Sequence, residues 1–280
     1  MIEKVTIGIP TYKPNLGKLK ETINSIVLQD YKNISVIISE NFPENDEIKN
    51  FVDEFDKKIL KIEYFQQENF ISQNLNWDFV LSKTEGKYCM ILGDDDQISK
   101  NYISSAVDIM DKDLNVYGVS AKWHHSYPDG KEFSTGGTQH EYMNKSSVKR
   151  ILKYLYNHND IYVIAVMRTK IVKKVGWKKC NLKYLWPNNS EVANSLTPFI
   201  FGCLLLGKGY YNTEATYFHK SVAWPRNKKN MNLTEFLISS IKGFLRYLNL
   251  YIYFILVLLR LKLHRAQFVL LRLYQLDNFS

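Results

Sequence analysis

The apolar positions of the first 115 residues switch between two periods. Residues 4–10 alternate, with Val5, Ile7 and Ile9 on one side, as a strand does. Residues 15–29 repeat at helical spacing through Leu16, Leu19, Ile23, Ile26 and Val27. Residues 34–39, ISVIIS, form a nearly continuous β-branched run, the pattern of a strand covered on both faces. Continuing this reading predicts a helix over 43–57, a strand over 59–66, a helix over 71–82 and a strand over 87–92 that ends at Gly93. Such a βαβαβαβ rhythm calls for an α/β fold, a mostly parallel sheet flanked by helices.

From about residue 116 the pattern changes. Strands expected over 116–123 and 161–168 surround a Gly/Ser/Thr-rich loop, 129–139, and a helix near 146–156. A stretch rich in Trp, Pro and Asn, 183–190, leads into a helix running through Leu206, and 210–218 reads as a last strand. The tail from about 232 is helical in pattern. The expected organisation is two halves of one domain, 1–115 and 116–228, followed by a basic, apolar helical segment, 229–280.

Composition narrows the class. The 280 residues are 45% hydrophobic and 23% charged, an ordinary globular balance with room for one large core. Cys89, Cys180 and Cys203 are far apart and make no C-x-x-C pair, so neither a zinc site nor a disulfide framework is suggested and a reducing compartment fits. MIEKVTIGIP reads as a strand and not as a signal peptide.

Net charge is +9, but from Arg226 onward nine Lys/Arg face two acids, which leaves 28 basic and 26 acidic residues for the rest. A localised basic element of this kind argues against a nucleic-acid-binding surface. Within it, residues 247–259, YLNLYIYFILVLL, are apolar and bounded by Arg246 and Arg260. Spanning roughly 30 Å of hydrocarbon takes about 20 residues, so this stretch is too short. With Lys262, Arg265 and Arg272 following among apolar residues, it suits a helix lying in an anionic membrane surface. Docking on the body, or a seam in a homo-oligomer, are the other readings.

The chemistry concentrates in ILGDDDQIS, where Asp94, Asp95 and Asp96 follow an apolar strand. Ligands of open α/β sheets bind beyond the carboxyl ends of the strands. If strand geometry persists, Asp94 and Asp96 project to one side and Asp95 to the other. A D-x-D pair suits a hard divalent cation, Mg²⁺ or Mn²⁺, completed by water and phosphate oxygens. The alternative is an acidic turn opening the next helix, where carboxylates favour the N-terminus. A calcium loop fails because Ile98 and Ser99 stand where its pattern needs Asp or Asn and then Gly.

Taken together, IGIPTYKPNLGKLKETINSIVLQDYKNISVIISEN, QENFISQNLNWDFVLSKTEGKYCMILGDDD and the basic apolar tail resemble a bacterial family-2 glycosyltransferase of GT-A fold. The resemblance is strong over 3–100 and fades beyond about 120. It implies an inverting transfer of sugar from a nucleotide diphosphate donor, with Mn²⁺ or Mg²⁺, to a saccharide or lipid-linked acceptor. The implied setting is surface polysaccharide, lipooligosaccharide or O-antigen synthesis, by a cytoplasmic protein peripheral on the inner face of the plasma membrane.

On matching residues the resemblance implies that Pro10, Thr11 and Tyr12 cradle the nucleotide and that Glu40 reads base or ribose, where most relatives carry Asp. It sets Asn69 and Asn74 beside the nucleotide, Asp94 on the ribose side with Asp95 next to it, and Asp96 and His219 on the metal. Arg226 or Lys228 would face phosphate from a closing loop.

Sugar transfer also needs a base for the acceptor hydroxyl. The family's Glu-Asp pair is absent from VGWKKCNLKYLWPNNSEVANS, where Glu191, after the potential N-cap Ser190, is the candidate and Asp160 the reserve. His124 and His125, adjacent on a strand, should face opposite ways and not form a two-His site. Two other functions fit less of the pattern. A sugar-phosphate nucleotidyltransferase would want a Gly-rich loop after the first strand, and PTYKPNLGK has only Gly17. A membrane-docked binding protein that has lost turnover would explain the missing Glu-Asp pair.

Overall fold

The computed structural model describes residues 2–41, 45–135, 142–157, 160–177 and 191–220. They belong to the first of two compact units, Met1–Trp224, and the second, Pro225–Ser280, lies outside the described residues. The expected tail helix with its apolar stretch 247–259, and both Arg226 and Lys228, therefore fall outside the description.

Four strands form as the alternation dictates: β1 (Val5–Thr11), β2 (Ile34–Asn41), β3 (Lys61–Gln67) and β4 (Tyr88–Ile91). They lie side by side in the order β3-β2-β1-β4, and each neighbouring pair is parallel. Val5, Ile7, Ile9, Val36, Ile38 and Met90 are completely buried, as strands covered on both faces must be. The connections are α1 (Leu16–Val27), α2 (Glu47–Glu54) and α3 (Gln73–Lys83). Asn15 caps α1 by accepting from the Lys18 N–H at 3.1 Å, and Ser72 caps α3 by accepting from the Leu75 N–H at 3.3 Å. On α1 the periodic residues Leu19, Ile23 and Ile26 turn inward, each stabilising the core by about 1.5–3 kcal/mol.

The second half supplies β5 (Gln97–Ile98), α4 (Tyr102–Lys112), β6 (Val116–Ser126), β7 (Glu132–Thr135), α5 (Ser147–Asn157), β8 (Val166–Arg168), α6 (Thr169–Val175), α7 (Glu191–Leu206) and β9 (Lys208–Lys220). The sheet continues β4-β8-β6-β9-β5, with β7 added to β6. Because β8 runs antiparallel to both β4 and β6 the sheet is mixed, but its long pairings, among β1 to β4 and between β6 and β9, are parallel as expected.

Two expectations fail locally. The strand expected over 161–168 is a 3-10 turn, Asp160–Ile164, followed by the short β8. Tyr162, Val163 and Ile164 are buried either way, and a short apolar run does not distinguish the two. Within the loop expected over 129–139, β7 pairs with β6 through a turn in which Gly130, at φ +78°, donates its N–H to Tyr127 O.

β6 and β9 are parallel, and their register jumps between Ala121↔Asn212 and Lys122↔Thr216. That irregularity sets Trp123 opposite Tyr217 and His125 opposite His219. Both pairs lie at the end of the strands that meets the aspartate cluster.

Candidate active site

Strand geometry ends one residue beyond β4. Leu92 N–H still donates to Gly8 O at 3.0 Å, but Asp96 N–H then donates back to Gly93 O at 3.3 Å, closing a turn over the aspartates. Strand alternation therefore stops, and Asp94 and Asp96 do not share a side as expected. The three carboxylates diverge. A Cβ at Gly93 would overlap the Asp96 carboxylate, so the tightness of this turn depends on glycine there.

Asp94 faces a cleft of about 320 Å³ lined also by Thr11, Tyr12, Asn41, Gln73 and Asn76. Its backbone carbonyl accepts from the Thr22 hydroxyl of α1 at 3.1 Å. Burial pushes its pKa up, the neighbouring Thr11 hydroxyl pulls it back, and Asp95 raises it further. Asp95 turns to α1, where Lys18 Nζ lies 3.3 Å from Oδ2 in a partly exposed pair.

Asp96 turns inward and is only 5% exposed. Its Oδ2 accepts from the Tyr217 hydroxyl at 2.6 Å, and its Oδ1 from the Lys220 N–H at 3.3 Å. His219 Nδ1 sits 2.9 Å from Oδ1, and since a carboxylate only accepts, that nitrogen carries the proton. The same hydrogen bond raises the His219 pKa against the opposing effect of burial.

His125 packs on His219 with ring centroids 5.4 Å apart, and on Phe133 at 4.5 Å. Burial first, and His219 second, push the His125 pKa down. His124 instead turns to Ser134 and Glu132, so the adjacent histidines do face opposite ways.

The cleft floor differs from the expected set. Glu40 is buried and its Oε2 accepts from the Tyr64 hydroxyl at 2.6 Å; burial raises its pKa. It does not line the cleft, because alternation along β2 presents Asn41 there instead. Asn41 grips the backbone of Ile71 both ways, donating to Ile71 O at 2.6 Å and accepting from Ile71 N at 3.0 Å.

Asn74 is also displaced from its expected place, since it is buried and accepts from Trp177 Nε1. Asn76, two residues on and so turned about 200° around the helix, reaches the cleft. It accepts from Ser39 Oγ at 2.6 Å and donates to Thr11 O at 3.2 Å. Asn69 is exposed and does not line the cleft. Pro10 and Tyr12 do, with Tyr12 edge-on to Phe70 at 5.7 Å. α7 begins at Glu191, but the side chains of Glu191 and Asp160 lie outside the described residues.

Among the described residues no three His, Cys, Asp or Glu side chains gather to hold a metal ion. Two groups at this end have the chemistry to ligate Mn²⁺ or Mg²⁺, Asp95 and His219. Asp95 is partly exposed, and a histidine that donates one ring N–H to a carboxylate, as His219 does to Asp96, is oriented to ligate through the other nitrogen. Tyr217, Asn41 and Lys18 were not singled out from the sequence, and His125 only as the strand neighbour of His124. The histidine and tyrosine depend on the β6–β9 register, which leaves no local signal.

Residues 6–176, more than half the chain, match the family model described as glycosyl transferase family 2. A GalNAc(5)-diNAcBac-PP-undecaprenol beta-1,3-glucosyltransferase of Campylobacter jejuni is 28% identical over 36% of this chain and 33% of its own. An uncharacterized glycosyltransferase of Methanocaldococcus jannaschii is 23% identical over 61% of this chain and 58% of its own. The matched region thus spans less than two thirds of either relative. Among solved structures, S. aureus TarS superposes with TM-score 0.56 at 15% identity, over 78% of this chain and 37% of its own. A TarS fragment, 1–349, in complex with UDP-GlcNAc gives 0.54 at 13% identity, over 82% and 62%. These likenesses show a common GT-A-type fold.

Proposed function

The chain belongs to glycosyl transferase family 2, and from that premise we propose that it transfers a sugar, with inversion, from a nucleotide diphosphate to a saccharide or lipid-linked acceptor. The observation that carries this reading is the cleft in which the Asp94 carboxylate faces Thr11 and Tyr12 at the carboxyl ends of β1 and β4. The UDP and UDP-GlcNAc complexes of TarS fragments support a nucleotide sugar as the donor class. The undecaprenol-linked substrate in the name of the Campylobacter relative supports a lipid-linked acceptor and a surface-glycan setting.

In this reading Asp94 accepts hydrogen bonds from the donor's ribose, which favours its ionised form once the donor closes the cleft. Thr11 and Tyr12 form the wall against the nucleotide, and Asn41 and Asn76 hold that wall rigid through Ile71 and Thr11. Asp95 and His219, the latter oriented by Asp96, would hold Mn²⁺ or Mg²⁺, which when bound offsets the negative charge gathering on the departing diphosphate. Glu191, at the start of α7, takes the proton from the acceptor hydroxyl. Arg226 screens phosphate, and the basic apolar tail rests on the cytoplasmic face of an anionic membrane.

Thermal-shift titration with UDP, GDP, ADP and CDP, with and without Mn²⁺, tests the donor site, since a ligand selective for the native state raises apparent stability. One diphosphate should raise Tm, more so with Mn²⁺. No shift with any of them would remove the reading.

A further inference from the structure

At the end of the sheet away from the cleft, β6 and β9 start side by side at Val116 and Lys208. Beside them lies a recess of about 440 Å³ lined by Asn115, Lys145, Arg150, Leu206 and Lys208. Leu206 on its rim is exposed, as is Leu114 next to Asn115, and α5, which lines the recess through Arg150, exposes Val148 and Leu152 on another face. Val148 and Leu152 are one turn apart and so share a face of that helix. Lys149 and Lys153 flank them, both exposed, and α5 carries no acidic residue.

Among the described residues most of the charge here is uncompensated. Lys208 is paired with Asp113 at 2.7 Å, but Lys145, Lys149 and Lys153 have no carboxylate partner among the described residues. Arg150 is buried, and its guanidinium donates to carbonyls alone: Leu204 O at 2.8 Å, Asn144 O at 2.7 Å, Lys145 O at 3.0 Å and Leu205 O at 3.4 Å. A buried cation with only neutral partners retains its attraction for a nearby anion.

We propose that this face of α5, together with its recess, is a docking surface for anionic lipid headgroups. Exposed apolar residues interleaved with lysines that have no carboxylate partner among the described residues match a surface that is apolar below and negatively charged above. A second copy joined face to face would set lysine against lysine, because a two-fold interface meets itself. Docking here would leave the catalytic edge roughly 30 Å from the headgroups, the rise of about nine strand residues, within reach of an acceptor sugar on an extended chain.

The test is sedimentation of the full chain with phosphatidylglycerol-containing vesicles and with phosphatidylcholine vesicles. Each lysine near an anionic surface contributes about fivefold to binding, so Lys149→Gln/Lys153→Gln should weaken partition onto the anionic vesicles by about 25-fold. Leu152→Ser should weaken it as well, and both variants should keep the wild-type circular dichroism melt. The proposal is overturned if the double variant partitions like wild type, or if neutral vesicles bind as strongly as anionic ones. It also falls if the variants alter the oligomer in ultracentrifugation while vesicle binding is unchanged. No readout involves sugar transfer, so this proposal and the transferase reading stand or fall separately.

Discussion

Removing one hydroxyl should expose how the aspartate turn is held. In Tyr217→Phe the ring remains packed 5.7 Å from Trp123 and 6.4 Å from Tyr102, while Asp96 Oδ2 loses its donor at 2.6 Å and Gly93 N–H its acceptor at 3.4 Å. Asp96 is 5% exposed, so water cannot take the hydroxyl's place. A hydrogen bond to a charged group contributes about 1.5–3 kcal/mol net. For a unit of this size each kcal/mol moves Tm by about 2–4 °C, so the variant should melt about 3–12 °C lower. Urea unfolding should show a lower midpoint at unchanged slope, the signature of lost stability and not of a changed denatured state. Asp96→Asn and the double variant complete a cycle, in which residues in contact should couple by about 1 kcal/mol or more. A loss under about 0.5 kcal/mol, or strict additivity, would refute the reasoning.

Gly93→Ala should destabilise by about 1–3 kcal/mol, the usual cost of forcing atoms into a packed site, and should lower the affinity for Mn²⁺ measured by titration. Glu40 has its folded-state pKa raised by burial above the ordinary 4.5, so its contribution to stability is fully present below 4.5 and lost as pH rises through the folded value. Glu40→Gln should therefore gain on wild type with rising pH from about 4.5 and then hold a constant advantage; a parallel pair of pH–Tm curves would contradict this. Trp177→Phe leaves the buried Asn74 Oδ1 without its donor and should cost about 1–3 kcal/mol, while nucleotide affinity stays unchanged because Asn74 lies off the cleft.

The parallel half of the sheet was legible because each strand pairs within its own neighbourhood and is buried on both faces, which leaves runs such as ISVIIS. β8 fell inside the strand expected over 161–168, but its late start and antiparallel direction were not legible, since three residues between β4 and β6 carry no period of their own. The aspartates were legible as a cluster at a strand end but not in their directions. Those depend on Tyr217 and His219, more than 120 residues away in sequence. Asn74 and Asn76 illustrate the same limit on a smaller scale. Both are amides on α3, and only the helix's phase against β1 and β2 decides which one meets the cleft.

The central claim is that Asp94 and its cleft hold a nucleotide sugar for transfer. The direct measurement is release of nucleoside diphosphate from a panel of nucleotide sugars, given membrane-extracted acceptor and Mn²⁺, by wild type and Asp94→Ala. The expected result is release from one donor by the wild type and a fall of at least about tenfold in Asp94→Ala, which corresponds to ~1.4 kcal/mol or more of lost transition-state binding. Release by Asp94→Ala equal to that of the wild type, or no release from any donor, would contradict it.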